Sequence, residues 1–97
     1  MTLPEFKIDL TPKSEEATRT MGFKWADDRV GQRSKIGGTP DLPEGATAPP
    51  CPSCGKETSF VSQLDSIGDD LAFADVGLLF TFVCFDCFEA VSFIQSS

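Results

Sequence analysis

The sequence predicts a small, mainly β domain, an antiparallel sheet with an additional strand near the N-terminus. Three observations predict it. The chain has 97 residues, enough for one domain, and its nine Phe and one Trp with no Tyr suit a dry core. Short alternating segments outnumber helical patterns, and turn residues separate them. Two Cys-x-x-Cys pairs, at residues 51–54 and 84–87, could bind a metal ion and so stabilise a core that is too small to be stable alone.

The N-terminal third predicts one strand and at most one short helix. Glu5–Leu10 reads as a strand, because its apolar residues alternate and place three side chains on one side: Phe6, Ile8 and Leu10. Thr11-Pro12 ends this strand, and residues 14–18 predict a turn or a short helix. A further short strand is predicted around residues 21–25, where Trp25 would lie half-buried in the core.

The middle of the chain predicts a turn followed by a long loop. Gly37-Gly38-Thr39-Pro40 is a turn signal, because glycine allows positive φ and Pro40 fixes the next residue. Residues 41–50 contain Pro43, Pro49 and Pro50, so we expect an extended surface loop that ends at the first cysteine.

Three strands are predicted after the loop, over residues 58–64, 78–83 and 89–95. In the first, strict alternation sets Phe60, Ser62 and Leu64 against Val61 and Gln63. The second is apolar on both faces apart from Thr81, as expected of a central strand buried on both sides.

The connection over residues 66–75 is polar, with two side chains expected to turn back onto the core: Leu71 and Phe73.

All four cysteines fall in the two Cys-x-x-Cys pairs and are predicted to be metal ligands: Cys51, Cys54, Cys84 and Cys87. Two residues between the cysteines let a turn direct both sulfurs at one ion, and two such turns can converge on a tetrahedral site. We therefore interpret residues 1–97 as a single zinc-ribbon-like domain. Residues 1–34 supply the N-terminal strand and a basic segment, and residues 35–97 form a metal-stapled sheet.

The two cysteine turns differ in composition. In the first, Pro52 presets the bend, Gly55 can take positive φ, and Lys56 brings a cation to a site of net charge about −2. In the second, Phe88 stands at the position of Gly55. Either Phe88 adopts a costly backbone conformation or the second turn has a different shape.

Structural Zn²⁺ is the leading interpretation of the four cysteines, and two alternatives remain open. A rubredoxin-like Fe(Cys)₄ centre would make the chain a one-electron carrier. Disulfide formation or thioredoxin-type exchange is the other, although neither pair precedes a helical pattern. Four thiolates leave zinc no position for a catalytic water. With no His and no nucleotide-binding fingerprint, we expect no enzyme and assign no catalytic or cofactor-binding residues beyond the metal ligands.

The distribution of charge along the chain indicates the chemical class of its partner. Residues 41–97 carry nine acidic residues and one basic residue, Lys56, and the whole chain has a net charge of −7. That surface favours a basic protein partner and disfavours nucleic acid.

The first ten residues lack the basic flank and apolar run of a signal peptide, and no apolar stretch is long enough to span a bilayer. Paired cysteines in a chain expected to be cytoplasmic favour metal over disulfides.

The order of the motifs resembles that of known families: Lys35-Ile-Gly-Gly-Thr-Pro40, Pro50-Cys-Pro-Ser-Cys54, Phe60-Val-Ser-Gln-Leu64 and Gly77-Leu-Leu-Phe-Thr-Phe-Val-Cys84. It is similar to the YwqG-like family of uncharacterised bacterial proteins. It also resembles the cysteine-bearing half of programmed-cell-death-2 type proteins, which chaperone a basic ribosomal protein during ribosome assembly. The resemblance covers about residues 35–95. It implies a metal-stapled β domain that binds protein, with no catalytic residues to transfer.

We therefore predict a zinc-stabilised protein-binding or chaperone-like module with an acidic face. The alternatives are the iron electron carrier and a zinc-ribbon nucleic-acid-binding protein. Gln63 lies in the middle of a predicted strand, and we interpret it as a structural side chain that bonds to a loop backbone.

Overall fold

A computed structural model describes residues 2–20, 32–67 and 77–96 of the chain. Its elements are listed in chain order: β1 (Phe6–Lys7), α1 (Glu15–Thr20), β2 (Lys35–Ile36), β3 (Ser59–Asp65), β4 (Gly77–Cys84) and β5 (Glu89–Ser96). The five strands form one sheet in the order β1-β2-β3-β4-β5, and every neighbouring pair is antiparallel. The prediction of a mainly β fold with a small antiparallel sheet is confirmed.

The N-terminal strand is much shorter than predicted and has a different neighbour. Only two residues of the predicted Glu5–Leu10 segment are in β1, and β1 pairs with β2, a strand that the sequence did not predict. β2 in turn pairs with β3, so it separates β1 from the three long strands. The short helix is confirmed as α1. The hydroxyl oxygen of Ser14 accepts a 3.0 Å hydrogen bond from the Ala17 N–H, which caps its first turn.

The predicted glycine turn follows β2 and joins the N-terminal segment to the sheet. Gly37 and Gly38 both have φ of 72°. The Gly37 N–H donates to the Val61 carbonyl at 2.8 Å, and the Gly38 N–H donates to the Leu3 carbonyl at 2.9 Å. A Cβ on Gly37 would overlap the carbonyl oxygen of Pro4. Both the backbone conformation and the close approach therefore require glycine here.

The core lies on one face of the long strands. Its buried apolar residues come from β3 and β4: Phe60, Leu78, Phe80 and Phe82. Phe93 of β5 packs against them, with its ring stacked on Phe82 at 5.8 Å between centroids, and Leu42 of the long loop packs against the same cluster. The loop over residues 41–50 thus contributes to the core as well as leading to the first cysteine.

Strict alternation in β3 was the wrong prediction, because the strand contains a bulge. The register shifts between Phe60 and Ser62, so Phe60 opposes Phe82 while Gln63 opposes Phe80. The extra residue places Phe60 and Gln63 on the same buried face and leaves Leu64 exposed.

β4 is the central long strand, as predicted, but it is not equally buried on its two faces. Leu78, Phe80 and Phe82 are almost completely buried, whereas Leu79 and Val83 on the other face are only half-buried. All described strands belong to one sheet, so within the described residues no second sheet covers that face.

Several predicted features fall on residues that the structure does not describe. The strand predicted around residues 21–25 lies outside the described residues. So do three side chains that were expected in the core: Trp25, Leu71 and Phe73. Among the helices that are described, none has the length and apolar character needed to cross a membrane.

Candidate metal centre

The two cysteine pairs lie at two chain reversals beside the long strands. The first reversal leads into β3 and is closed by an isolated bridge between Pro50 and Glu57. Within it, the Cys51 N–H donates to the Lys56 carbonyl at 2.8 Å. The second reversal is the β4–β5 hairpin turn, with Cys84 as the last residue of β4. The sheet thus brings together cysteine pairs that are about thirty residues apart in the sequence.

Both turns have the same backbone shape, which resolves the alternative left open for Phe88. The Gly55 N–H donates to the Cys51 carbonyl at 2.9 Å, and the Phe88 N–H donates to the Cys84 carbonyl at 2.7 Å. Gly55 has φ of 74° and Phe88 has φ of 57°. A residue with a Cβ loses about 1–2 kcal/mol in this left-handed region, so the second turn carries a strain that the first avoids.

The four sulfur atoms of Cys51, Cys54, Cys84 and Cys87 all lie within 4.8 Å of one another. The Cys54 and Cys84 sulfurs are 3.8 Å apart. A tetrahedral Zn(Cys)₄ site with bonds of about 2.3 Å would separate its sulfurs by about 3.8 Å. A disulfide would bring them to about 2.05 Å, and all four cysteines are free. The donor set therefore fits a tetrahedral metal ion.

Each turn contributes one buried and one exposed cysteine. Cys51 and Cys84 are each 2% exposed, whereas Cys54 and Cys87 are exposed. The first cysteine of each pair thus points into the domain and the second lies at the surface. A metal held by this set would be shielded by protein on one side and would face solvent on the other.

The thiols perturb one another as closely packed acids do. Hydrogen bonds from the Cys54 backbone N–H, and secondarily from that of Ser53, lower the pKa of Cys51 to about 7 against the opposing effect of burial. The hydrogen bond between the Cys87 thiol and the Cys54 sulfur is the largest factor that raises the pKa of Cys87 to about 12. Hydrogen bonding within the cluster thus favours the ionised form of Cys51 and the neutral form of Cys87.

An ion pair joins the two turns outside the sulfur cluster. The Lys56 ammonium lies 3.2 Å from the Asp86 carboxylate, and both side chains are about two-thirds exposed. Asp86 raises the pKa of Lys56, first by a hydrogen bond and then by its charge. Because solvent screens the pair, it contributes little to the stability of the fold. The predicted cation near the first turn is therefore present, and it bonds to Asp86, which lies between the two cysteines of the second turn.

One buried ion pair near the sheet was missed by sequence reasoning. Asp65, whose side chain is fully buried, accepts hydrogen bonds from the Arg33 guanidinium at 2.7 and 3.0 Å and from the Arg33 backbone N–H at 3.0 Å. The two residues are 32 positions apart, and neither belongs to a recognisable motif. The pair anchors the segment before β2 to the end of β3.

The chain was compared with family models, curated proteins and solved structures, and none of them matched. The geometry of the four cysteines is therefore the strongest guide to what this domain does.

Proposed function

We propose that the chain is a zinc-stabilised protein-binding module of chaperone-like type, in which Cys51, Cys54, Cys84 and Cys87 hold a structural Zn²⁺. The observation that carries the proposal is the cluster of four sulfurs within 4.8 Å, with one pair at the 3.8 Å spacing of a tetrahedral thiolate site. All four donors are protein thiols, so the ion would have no open position for a substrate or catalytic water.

A structural role suits the architecture around the cysteines. Among the described residues, the apolar core cluster has four buried side chains and two partly buried neighbours, in a chain of 97 residues. Such a core stabilises a fold weakly, and a bound ion would contribute the free energy of metal binding to folding. The ion would tie the turn before β3 to the β4–β5 turn, and would so fix the end of the three long strands where Ser59 pairs with Val83 and Cys84 with Glu89. As part of the proposal we place the domain in the cytoplasm, where thiols remain reduced.

Charge supports a basic protein as the partner. The chain has a net charge of −7, and Lys56, the one basic residue after position 40, bonds to Asp86. Exposed carboxylates are distributed over the described surface of this region, among them Glu44, Glu57 and Glu89. Such a surface attracts cationic segments and repels phosphate backbones. The motif order that resembles the programmed-cell-death-2 type chaperones points to the same kind of partner.

The metal is tested by elemental analysis of freshly purified protein, with native mass spectrometry to count ions per chain. We expect one zinc per chain. One iron with visible absorption would instead support the rubredoxin-like electron carrier. Metal-free protein that is folded, with four free thiols, would refute the structural role.

Protein binding is tested separately, by affinity capture on the immobilised zinc-loaded chain at low and high salt. We expect basic proteins to be enriched at low salt and lost at high salt. No enrichment of basic proteins at low salt would contradict the proposal. A steeply salt-dependent mobility shift of RNA or DNA would favour the nucleic-acid-binding alternative.

A further inference from the structure

The sheet ends at a long, regular edge. β5 is the last strand in the order, and within the described residues no strand pairs with its outer side. Its eight residues pair with β4 without a register shift, from Gly77 opposite Ser96 to Cys84 opposite Glu89. In such a ladder about half of the strand's N–H and C=O groups point away from the partner. β5 therefore presents an ordered row of outward hydrogen-bonding groups.

β5 itself lacks the length limit, residue types and bulge that normally protect a sheet edge. Protected edges are short, or they carry lysine, proline or a bulge. The opposite edge meets this description, because β1 has two residues and one of them is Lys7. β5 contains no Lys, Arg or Pro, its register is unbroken, and Glu89 at its first position is its one charged residue.

The side chains of β5 also suit a neighbouring strand. Val91 and Phe93 are half-buried on the core face, whereas Ala90 and Ile94 on the opposite face are exposed, Ile94 by 51%. An added strand would extend both surfaces, with apolar side chains beside Val91 and Phe93. This arrangement is β-augmentation, in which backbone hydrogen bonds give affinity and alternate side chains give specificity.

Phe88 supplies a second, independent feature at the start of this edge. It immediately precedes β5, the residue is 78% exposed, and its φ is 57°. The equivalent residue of the other turn is Gly55, which takes the same conformation without strain. An exposed aromatic side chain on a strained backbone contributes little to the fold and is well placed as an interface anchor.

Charge decides which strand fits the edge. A second copy of this chain would bring together two molecules of net charge −7. A basic segment would instead be attracted by the chain as a whole and, at the edge itself, by the Glu89 carboxylate. The favoured occupant is thus an extended segment with alternating basic and apolar residues.

We propose that the outer edge of β5, together with the Phe88 ring, is the docking site for an extended basic segment of a partner protein, which adds to the sheet as a sixth strand. This inference rests on the proposed function as a protein-binding module and names the surface that performs it. The partner's backbone bonds to the β5 edge, its apolar residues lie beside Val91 and Phe93, and a Lys or Arg pairs with Glu89.

The test uses the zinc-loaded chain and a synthetic peptide, acetyl-Lys-Val-Lys-Val-Lys-Val-Lys-amide. Titration followed by amide NMR and hydrogen exchange should show increased protection for residues 89–96. The same peptide methylated on every backbone nitrogen keeps its side chains and charge but cannot donate to the edge, and should not bind. Glu89→Lys should weaken binding by about fivefold or more, whereas the matched control Glu44→Lys, with the same change of net charge, should weaken it less than about twofold. Zinc content is measured for each variant.

The proposal fails if the peptide does not bind, if both peptides bind equally, or if the two variants lose affinity equally. Protection confined to residues outside β5 would also overturn it. Protection of β5 that rises with chain concentration in the absence of peptide would assign the edge to a second copy. If the peptide does not bind β5 but the chain still holds zinc and enriches basic proteins, this inference fails while the proposed function stands. If basic proteins are not enriched either, both fail.

Discussion

Replacing Gln63 with methionine should destabilise the domain strongly, although the two side chains are similar in size. Gln63 is fully buried. Its Nε2 donates to the Arg33 carbonyl and to the Asp41 carboxylate, each at 2.8 Å, and its Oε1 accepts from the Asp41 N–H at 3.1 Å. One side chain of β3 thus holds the segment before β2 and the start of the long loop.

The expected loss follows from the environment of each partner. Asp41 is exposed, so water can replace part of what Gln63 provides, and those two bonds contribute about 1 kcal/mol each. The Arg33 carbonyl lies in a partly buried contact, and leaving it without the Gln63 amide costs about 1–2 kcal/mol. We therefore expect Gln63→Met to lower the free energy of unfolding by about 3–4 kcal/mol. In a domain of this size that corresponds to a decrease in Tm of roughly 10 °C or more.

The assay is guanidinium denaturation of zinc-loaded protein at fixed free zinc, because bound ligand shifts apparent stability. Gln32→Met makes the same chemical change at an exposed position and should change stability by less than about 0.5 kcal/mol. The reasoning is refuted if Gln63→Met costs less than about 1 kcal/mol, or no more than the control.

Three further predictions concern the site and its supports. Cys84→Ser removes a buried thiol of the proposed zinc site, so zinc should be lost in native mass spectra and the melting temperature should fall sharply; unchanged melting would show that the site is not structural. In Gly55→Ala the added Cβ meets no atom within 4 Å, so the variant should retain zinc and lose about 1 kcal/mol of stability through backbone strain. In Gly37→Ala the added Cβ overlaps a backbone carbonyl, so the loss should be clearly larger. Equal losses in denaturation would contradict this. Arg33→Met leaves the buried Asp65 carboxylate without its guanidinium and should cost about 2–4 kcal/mol in the same assay, and a loss below about 1 kcal/mol would contradict it.

The sequence by itself determined the features that depend on neighbouring residues. The three long strands occur within one or two residues of their predicted bounds, because apolar runs bounded by turn residues encode them locally. The glycine turn at Gly37 and Gly38 was predicted for the reason the structure shows, positive φ. The cysteine pairs were recognised from spacing alone, and Gln63 was correctly interpreted as bonding to a loop backbone.

The tertiary structure decided what depends on residues far apart in the chain. The bulge in β3 places Phe60 and Ser62 on opposite faces of the sheet, and it is visible only once β3 is paired with β4. β2 has two residues, too few for a periodic pattern, and exists through pairing with β1 and β3. The Arg33–Asp65 pair joins residues 32 positions apart. Phe88 takes a glycine-like conformation because the β4–β5 turn directs both of its cysteines toward the other pair. That requirement comes from a distant part of the chain, so local conformational propensity cannot predict it.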